Sequence, residues 1–416
     1  MRNSVILFSA TALLACGGRS SLDDEEPPAT PIGSRLDGGR DARAADQTAD
    51  ALAPSDAGLK RWRVLGDPSA VSSFEWPALA VDSTGTPWLA FRMSAGGGPR
   101  QAGVARWHGA NWAIVRTFPG EVPLPCDGDF AIDEHDDVFV YLASSADSSK
   151  LGQARVAVRQ ESAWWDLGQP FPSLSGQRVD PCPRLAVSRA GTPWAAVSTS
   201  SNGTDGFITY VSRWTGASWQ TNPFPFVAKA SGDGSARQGI WLAGLIVDGS
   251  GAPVVALEQR ELDTLTTKVE RWTGAQWQEL GRLTKDSYPL AVSRSGAPVI
   301  VTSVSTGLQV LEWDGSTWQP IGGPIPLSRH VLAPAIAFDE ADRPIVAFVQ
   351  APPEEGSYVC LHRWSGSAWE RIPAPLNPTP SNPISEPFSL AVSQNGTIFL
   401  AFTQPDFTVE QYGPEP

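Results

Sequence analysis

Hydrophobic and polar positions recur in one fixed order through most of the chain. Each copy has an apolar run, then Asp or Ser, and three positions later usually Gly, followed by a second apolar run. The polar side chain can accept hydrogen bonds from the turn backbone and Gly can adopt a left-handed conformation, so each copy predicts a β-hairpin. Asp136 and Asp342 stand in the Gly place, which Asp tolerates. The seven copies are 79–91, 130–142, 185–197, 245–257, 290–302, 336–348 and 390–402.

A second hairpin follows most of these copies. In it, two Trp residues five positions apart flank a four-residue turn that contains Gly, so they are predicted to face each other across two strands. In the second unit, residues 159–165, we place Gln160 at the first Trp position and infer that one residue is deleted. The regular copies are 106–112, 213–219, 271–277, 312–318 and 363–369.

The two hairpins together give four strands per unit, and the units recur about every 52 residues, a period typical of propellers. The seventh unit has Tyr412 in the first Trp place and ends before a fourth strand. The segment 60–66 matches the end of a Trp hairpin and can supply that strand. We therefore predict an all-β, seven-bladed β-propeller over residues 59–416, with four-stranded blades and the last blade closed by the N-terminal strand.

The Trp hairpins resemble the kelch repeat, in which an aromatic residue and a Trp are similarly spaced across a Gly-containing turn. The diglycine of the kelch pattern is absent here. The first hairpins resemble the Asp-box of sialidases, although the spacing from Asp to Gly is three residues rather than two. The first resemblance implies a kelch-like propeller for the whole region from residue 59 onward.

The first residues predict export. Residues 1–15 have Arg2 followed by an apolar stretch from Val5 to Ala15, which fits a signal peptide and is too short for a membrane-spanning helix. The run Leu-Leu-Ala-Cys ending at Cys16 resembles the lipobox of bacterial lipoproteins. That resemblance implies cleavage before Cys16 and acylation of this residue, and Gly17 implies the outer membrane. The alternative is an ordinary secretory signal with a chance Cys.

Composition separates a tether from the folded part. Residues 17–58 contain nine acids, four Arg and no aromatic residue, so we predict that residues 16–58 are a disordered acidic tether. The whole chain carries a net charge of −13, of which about −9 belongs to the predicted propeller. The lack of a basic surplus argues against nucleic acid as a partner. The composition also excludes collagen and coiled coil.

Candidate binding residues lie mainly in the connections between blades. Repeated Trp residues invite stacking on sugars, but a residue repeated in most blades more often packs between blades. Residues specific to one blade are therefore better candidates, since binding residues usually sit on loops of a rigid scaffold. The alternative is that they merely cover the channel mouth. The predicted ligand-binding residues are Trp76, Arg237, Trp241, Arg329 and His330.

Signatures of catalysis or metal binding are sparse. The four His residues are far apart, and the chain has no nucleophile elbow, P-loop, CxxC or zinc-binding HExxH motif. We predict no catalytic residue, no metal site and no cofactor. The acidic run from Asp133 to Asp137 offers oxygen ligands for a hard cation, but a solvated turn is the simpler interpretation.

Two cysteines occupy equivalent places before the inner strands of adjacent units. Cys126 and Cys182 are predicted to form a disulfide in an oxidising compartment, with two free thiols as the alternative. Cys360, in an outer strand, is expected to be buried.

These observations favour a monomeric, non-enzymatic binding propeller with a glycan or protein ligand. It is expected to be anchored to the bacterial outer membrane and to face the periplasm or the cell surface. A carbohydrate-active enzyme, sialidase- or lyase-like, that uses the mouth of the channel is the first alternative. A structural component of an envelope complex is the second.

Overall fold

The computed structural model describes most of the chain from residue 60 onward, with gaps. Within these ranges there is no helix, and so none with the length and apolarity that a membrane span needs. The described residues are 60–66, 74–93, 101–123, 130–144, 154–171, 177–179, 183–201, 207–223, 240–261, 264–284, 287–327, 331–350, 358–373, 385–403 and 407–413.

The strands form seven antiparallel sheets, which are the blades of a propeller. The first strand, β1 (Arg61–Gly66), belongs to the last blade. Blade 1 contains β2 (Phe74–Val81), β3 (Pro87–Met93), β4 (Gln101–Trp107) and β5 (Trp112–Phe118). Blade 2 contains β6 (Glu121–Pro123), β7 (Phe130–Ile132), β8 (Val138–Ser144), β9 (Arg155–Gln160) and β10 (Ala163–Gly168). Blade 3 contains β11 (Gln177–Val179), β12 (Arg184–Val187), β13 (Pro193–Ser201), β14 (Phe207–Trp214) and β15 (Trp219–Pro223).

The remaining blades follow the same plan. Blade 4 contains β16 (Ile240–Val247), β17 (Pro253–Glu261), β18 (Thr264–Trp272) and β19 (Trp277–Thr284). Blade 5 contains β20 (Ser287–Val292), β21 (Pro298–Val304), β22 (Gly307–Trp313), β23 (Trp318–Pro320) and β24 (Ile325–Pro326). Blade 6 contains β25 (Val331–Phe338), β26 (Pro344–Gln350), β27 (Tyr358–Trp364) and β28 (Trp369–Ile372). Blade 7 contains β29 (Ser385–Val392), β30 (Ile398–Thr403) and β31 (Phe407–Gly413).

The blades are arranged in a ring. Their inner strands contact one another in sequence, and the strand of the last blade, β29, returns to that of the first, β2. Short extra strands occur in three blades: β6 and β7 both pair with β8, β11 and β12 both pair with β13, and β24 pairs with β22. The prediction of a seven-bladed propeller is confirmed.

The closure of the ring is also confirmed. β1 pairs antiparallel with β31, with Arg61 opposite Gly413 and Trp62 opposite Tyr412, and thus completes blade 7 as its outermost strand. Pairing the first strand with the last in one sheet covers an edge that would otherwise be open.

The hydrophobic core lies in the seams between blades rather than at one centre. Each of the seven seams has its own cluster of buried apolar side chains. At the seam between blades 1 and 2, for example, Trp88 and Val104 pack against Phe130 and Val140. This division explains the repeated sequence, because every seam needs a similar set of contacts.

Chain direction gives the ring two distinct faces. In a regular blade the turn between the first two strands and the turn between the last two strands lie at the same end of the sheet. We call the surface formed by these ends the turn face. The connections from one blade to the next begin and end on the opposite face. Trp76 and Trp241 lie near the starts of inner strands β2 and β16, and hence toward that opposite face.

Candidate functional site

Each first hairpin is held by the polar residue that follows its inner strand. In blade 1, Asp82 Oδ1 accepts hydrogen bonds from the backbone N–H groups of Thr84 and Thr86, at 3.1 and 3.0 Å. Its Oδ2 accepts from Trp88 Nε1 at 2.9 Å and from Arg106 Nη2 at 2.8 Å. Burial by itself raises the pKa of Asp82, but these hydrogen bonds outweigh it and hold the pKa below its usual value.

The same arrangement recurs in other blades. Asp248 accepts from the backbone of Ser250 and from the Arg271 guanidinium, and Asp339 accepts from the backbone and the guanidinium of Arg343. The prediction that the repeated aspartates are primarily turn residues is confirmed.

Asp133 in blade 2 departs from this arrangement. Its Oδ1 accepts from the backbone of His135 and Asp137, both at 2.9 Å, but its buried Oδ2 has no hydrogen-bond partner among the described residues. A Cβ at Gly191 of blade 3 would lie 2.8 Å from that Oδ2, so the oxygen faces the neighbouring turn closely. Burial raises the pKa of Asp133, and the backbone hydrogen bonds offset this only in part.

The aspartates that replace Gly tie neighbouring turns together. Asp136 and Asp342 have the left-handed φ values of 64° and 58° that the sequence predicts. The Asp136 carboxylate accepts from the backbone and the hydroxyl of Ser83 in blade 1, both at 2.7 Å. Asp342 likewise accepts from the backbone of Arg294 and Ser295 in blade 5, at 2.6 and 3.0 Å. Each aspartate is therefore a link to the preceding blade.

The paired Trp residues of the second hairpins pack between blades. In each regular hairpin they are register partners, and their ring centroids lie 5.4–5.6 Å apart. The second Trp reaches the preceding blade: Trp219 Nε1 donates to the Leu167 carbonyl at 2.8 Å, and Trp369 Nε1 to the Ile321 carbonyl at 3.3 Å. The interpretation of the repeated Trp residues as inter-blade packing is confirmed.

Blade 2 corrects one sequence assignment. We placed Gln160 at the first Trp position with a deletion, but the register pairs Arg159 with Trp164, as Trp214 pairs with Trp219 elsewhere. Four residues separate the partners in both hairpins. Glu161 takes the left-handed place of the turn Gly, with φ 54°. Nothing is deleted: Arg159 has replaced the first Trp, and Trp164 packs edge-on against Phe118 of blade 1 at 5.2 Å.

This replacement coincides with a cleft of about 770 Å³ on the turn face between blades 1 and 2, which we call the Arg159 cleft. Blade 1 lines it with Asp82, Trp88 and Arg106. Blade 2 contributes residues from its first turn and from its second hairpin. These residues include Asp136, Asp137, Arg159, Gln160, Glu161 and Trp165.

Two guanidinium groups share one indole at the base of the cleft. Arg106 and Arg159 lie over the ring of Trp88, at 5.1 and 5.2 Å from its centroid. Asp82 balances Arg106 through the 2.8 Å ion pair, whereas Arg159 has no ion pair within the described residues. Burial and the Arg106 charge lower the pKa of Arg159, and Asp137 opposes that effect. Arg159 is therefore a cation with donors to offer a ligand.

The rim of the cleft supplies acceptors and an aromatic surface. The Asp137 Oδ2 accepts a hydrogen bond from Gln160 Nε2 at 2.8 Å, which fixes that carboxylate beside the second hairpin. Glu161 is exposed at the turn. Trp165 is 59% exposed, more than any other described large apolar residue apart from Val64. An exposed indole beside hydrogen-bond donors and acceptors has the chemistry of a polar-ligand site.

None of the predicted binding residues is among the described residues that line this cleft. Trp76 and Trp241 belong to β2 and β16, and only their backbone is described. Arg237, Arg329 and His330 lie outside the described residues, as do Cys16, Cys126 and Cys182. These assignments, including the disulfide, stay predictions. Cys360 is 3% exposed, as expected, and burial raises the pKa of its thiol to about 11.

The acidic run in the first turn of blade 2 does not form a metal site. Asp133, Asp136 and Asp137 each accept hydrogen bonds from protein donors, as described above. In the part of the chain that the structure covers, no group of three or more His, Cys, Asp or Glu residues is arranged to hold a metal ion.

Comparison with known proteins identifies the fold and not the family. No protein-family model matches the sequence, and no curated protein is significantly similar to it. Among solved structures, the PL25 ulvan lyase bound to -[GlcA(1-4)Rha3S]- is similar with a TM-score of 0.51 and 10% identity, over 86% of this chain and 95% of its own. The β-propeller domain of the Trilobed protease from Pyrococcus furiosus is similar with a TM-score of 0.50 and 10% identity, over 83% and 95%.

A third similar structure is the Hadza microbial sialidase Hz136, with a TM-score of 0.46 and 10% identity, over 84% of this chain and 68% of its own. The similar structures thus include enzymes of carbohydrate metabolism. At identities near 10%, the similarities show the propeller fold alone.

Proposed function

We propose that the protein is a lipid-anchored, extracytoplasmic binding propeller that recognises carbohydrate in the Arg159 cleft. The observation that carries this proposal is the exposed Trp165 beside the carboxylates of Asp137 and Glu161 and the Arg159 guanidinium, which has no ion pair within the described residues. Sugars have apolar C–H faces that stack on aromatic rings, and their hydroxyl groups both donate and accept hydrogen bonds. The similarity to a polysaccharide lyase supports the same ligand class.

The site is specific to one blade and is not repeated around the ring. Six of the seven blades have an aromatic pair where blade 2 has Arg159 and Trp164. Only blade 2 has a charged side chain in place of the first aromatic residue of the pair. Loss of a packing residue to a charged one is costly for stability, and a binding role accounts for it.

An enzymatic function has weaker support. Glycoside cleavage by an acid–base pair needs a carboxyl group whose pKa is raised enough to donate a proton near neutral pH. Among the described carboxyl groups, burial raises the pKa of Asp133, Glu312 and Glu410, and none of the three lines the cleft. Binding without turnover is therefore the better proposal.

The anchoring part of the proposal rests on the lipobox that ends in Cys16. Acylation of this residue would hold the protein at the outer membrane, with the acidic segment up to residue 58 as a tether. Replacing Cys16 by Ser should move the protein from the membrane fraction to the soluble fraction. Retention of the variant in membranes would contradict the anchor.

The binding part is tested with Trp165→Ala in the mature chain that carries Cys16→Ser. We expect the affinity measured by glycan array and calorimetry to fall roughly 5- to 30-fold, since stacking contributes on the order of 1–2 kcal/mol. Ile114→Ala is the matched control, because Ile114 is also exposed on an outer strand, at 42%, but does not line the cleft. Equal binding by both variants would contradict the site. Release of reducing sugar by the unmodified protein would favour an enzyme instead.

A further inference from the structure

We infer that the Arg159 cleft accepts a neutral sugar residue and rejects sugars that carry a carboxylate or a sulfate. This inference rests on the proposed function and adds the class of ligand. It also sets this chain apart from the ulvan lyase that it resembles in fold, whose bound saccharide carries both a uronate and a sulfate.

The lining of the cleft carries a surplus of negative charge. Two arginines are outnumbered by four carboxylates, those of Asp82, Asp136, Asp137 and Glu161. Arg106 is already neutralised by Asp82. The propeller as a whole is acidic as well. An anionic ligand would therefore enter against a surplus of negative charge, and like charges placed together exclude such partners.

The carboxylate acceptors of the cleft are held in place by hydrogen bonds. Asp136 has both oxygens engaged by Ser83, and Asp137 is fixed by Gln160, so neither carboxylate is free to turn away from a ligand. Carboxylates offer acceptors only, while Arg159 offers donors only. A pair of neighbouring sugar hydroxyls satisfies both, because one hydroxyl donates to a carboxylate and the other accepts from the guanidinium. A carboxylate or sulfate in the place of the donating hydroxyl would offer only acceptors to the protein carboxylate.

The position of Arg159 also favours a neutral ligand. Its guanidinium lies over Trp88 and next to Arg106, with Asp137 as a nearby opposite charge. The Trp88 indole and the nearby Asp137 carboxylate thus both stabilise this cation, although no ion pair within the described residues engages it. It can donate to a hydroxyl without needing a ligand anion to neutralise it.

The test uses the mature chain with Cys16→Ser and six probes in three matched pairs. Each pair joins a neutral oligosaccharide of glucose, mannose or galactose to the oligosaccharide of the corresponding uronic acid. We expect at least one neutral probe to bind through Trp165, and its acidic partner to bind at least tenfold more weakly at 20 mM NaCl. At 500 mM NaCl the difference should shrink, because salt screens the repulsion. Glu161→Gln should also reduce the difference in affinity between the neutral and the acidic probe, because it removes one negative charge from the cleft.

The outcomes separate the two claims. If an acidic probe binds as tightly as its neutral partner, or more tightly, and Trp165→Ala abolishes that binding, the inference is overturned while the proposed function stands. If no probe binds in a manner that depends on Trp165, the proposed function itself fails. Ile114→Ala again serves as the control for nonspecific effects on the outer strands.

Discussion

Trp62 in β1 and Tyr412 in β31 lie directly opposite each other, with ring centroids 5.1 Å apart. The Trp62 Nε1 donates to the carbonyl of Pro373 in blade 6. Trp219 and Trp369 make the same kind of contact with their preceding blades. The first strand of the propeller therefore provides the last blade with its second Trp, and the chain ends join through the contact that every regular blade uses.

Replacement of Trp62 should weaken the closure. We expect Trp62→Ala to lower the free energy of unfolding by about 2–4 kcal/mol, because the indole packs in the seam between blades 6 and 7. Urea denaturation measures this change. Val64→Ala on the same strand is the control, since Val64 is 61% exposed and its loss should cost less than about 0.5 kcal/mol. Equal effects of the two changes would mean that β1 does not carry the closure.

Arg159→Trp should restore the regular hairpin and remove the cleft. At the seam between blades 3 and 4, Trp194 and Trp272 pack in one cluster, so the fold has room for Trp at the equivalent place beside Trp88. We expect glycan binding to fall at least tenfold, with the free energy of unfolding unchanged or raised by up to about 1 kcal/mol. Calorimetry and urea denaturation measure the two effects. Undiminished binding would place the ligand elsewhere.

Trp272→Arg is the reverse change and the matched control. It should lower the free energy of unfolding by about 3 kcal/mol, because it removes a seam aromatic and introduces a charge. Binding in the Arg159 cleft should stay the same.

Substitutions at Asp136 and Asp342 can distinguish the energetic cost of backbone strain from the contribution of the side-chain hydrogen bonds. Asp136→Gly keeps the left-handed turn but loses the two hydrogen bonds from Ser83, so it should cost about 1–2 kcal/mol. Asp136→Ala also forces a left-handed Ala, which should cost about 1 kcal/mol more. At Asp342 too, the Ala variant is expected to lose more stability than the Gly variant. A more stable Ala variant at either position would contradict this explanation.

Glu410 makes stability depend on pH. It is 1% exposed in β31, and burial raises its pKa from 4.5 to about 7. A carboxyl whose pKa is higher in the folded state stabilises most fully below pH 4.5, and that contribution is lost as the pH rises toward 7. Relative to Glu410→Gln, the natural protein should therefore lose about 3 kcal/mol between pH 4 and pH 8. Urea denaturation of both proteins at each pH measures the difference, and parallel pH profiles would contradict it.

The repeat predicted the fold because each seam needs the same contacts. The spacing of the hairpins gave seven blades, and the Trp62 segment gave the closure. Even the substitutions of Gly by Asp136 and Asp342 were interpretable, since few residues adopt their backbone conformation. What the pattern does not contain is the second role of these aspartates, because Ser83 and Arg294 lie in other repeats and meet them only in the ring.

The candidate site was harder to predict. Variable connections drew attention to the face where Trp76 and Trp241 lie, whereas the described cleft is on the turn face. The sequence contained one usable signal. If Glu161 is aligned with the turn Gly of the other hairpins and no deletion is assumed, Arg159 takes the position of the first Trp. The remaining partners, Trp88 and Arg106, belong to another blade. Their proximity to Arg159 depends on how two blades pack against each other, and a local sequence pattern does not predict that packing.

The register of the closure has a consequence for how the protein is presented. Arg61 and Gly413 are direct partners, so the chain enters and leaves the propeller side by side, at the turn face. The Arg159 cleft opens on that same face. Whatever is joined to either end, whether a surface anchor, a fluorescent label or a fused domain, is attached on the side where the cleft must be reached. A long spacer at these ends is then expected to ease access by a large ligand.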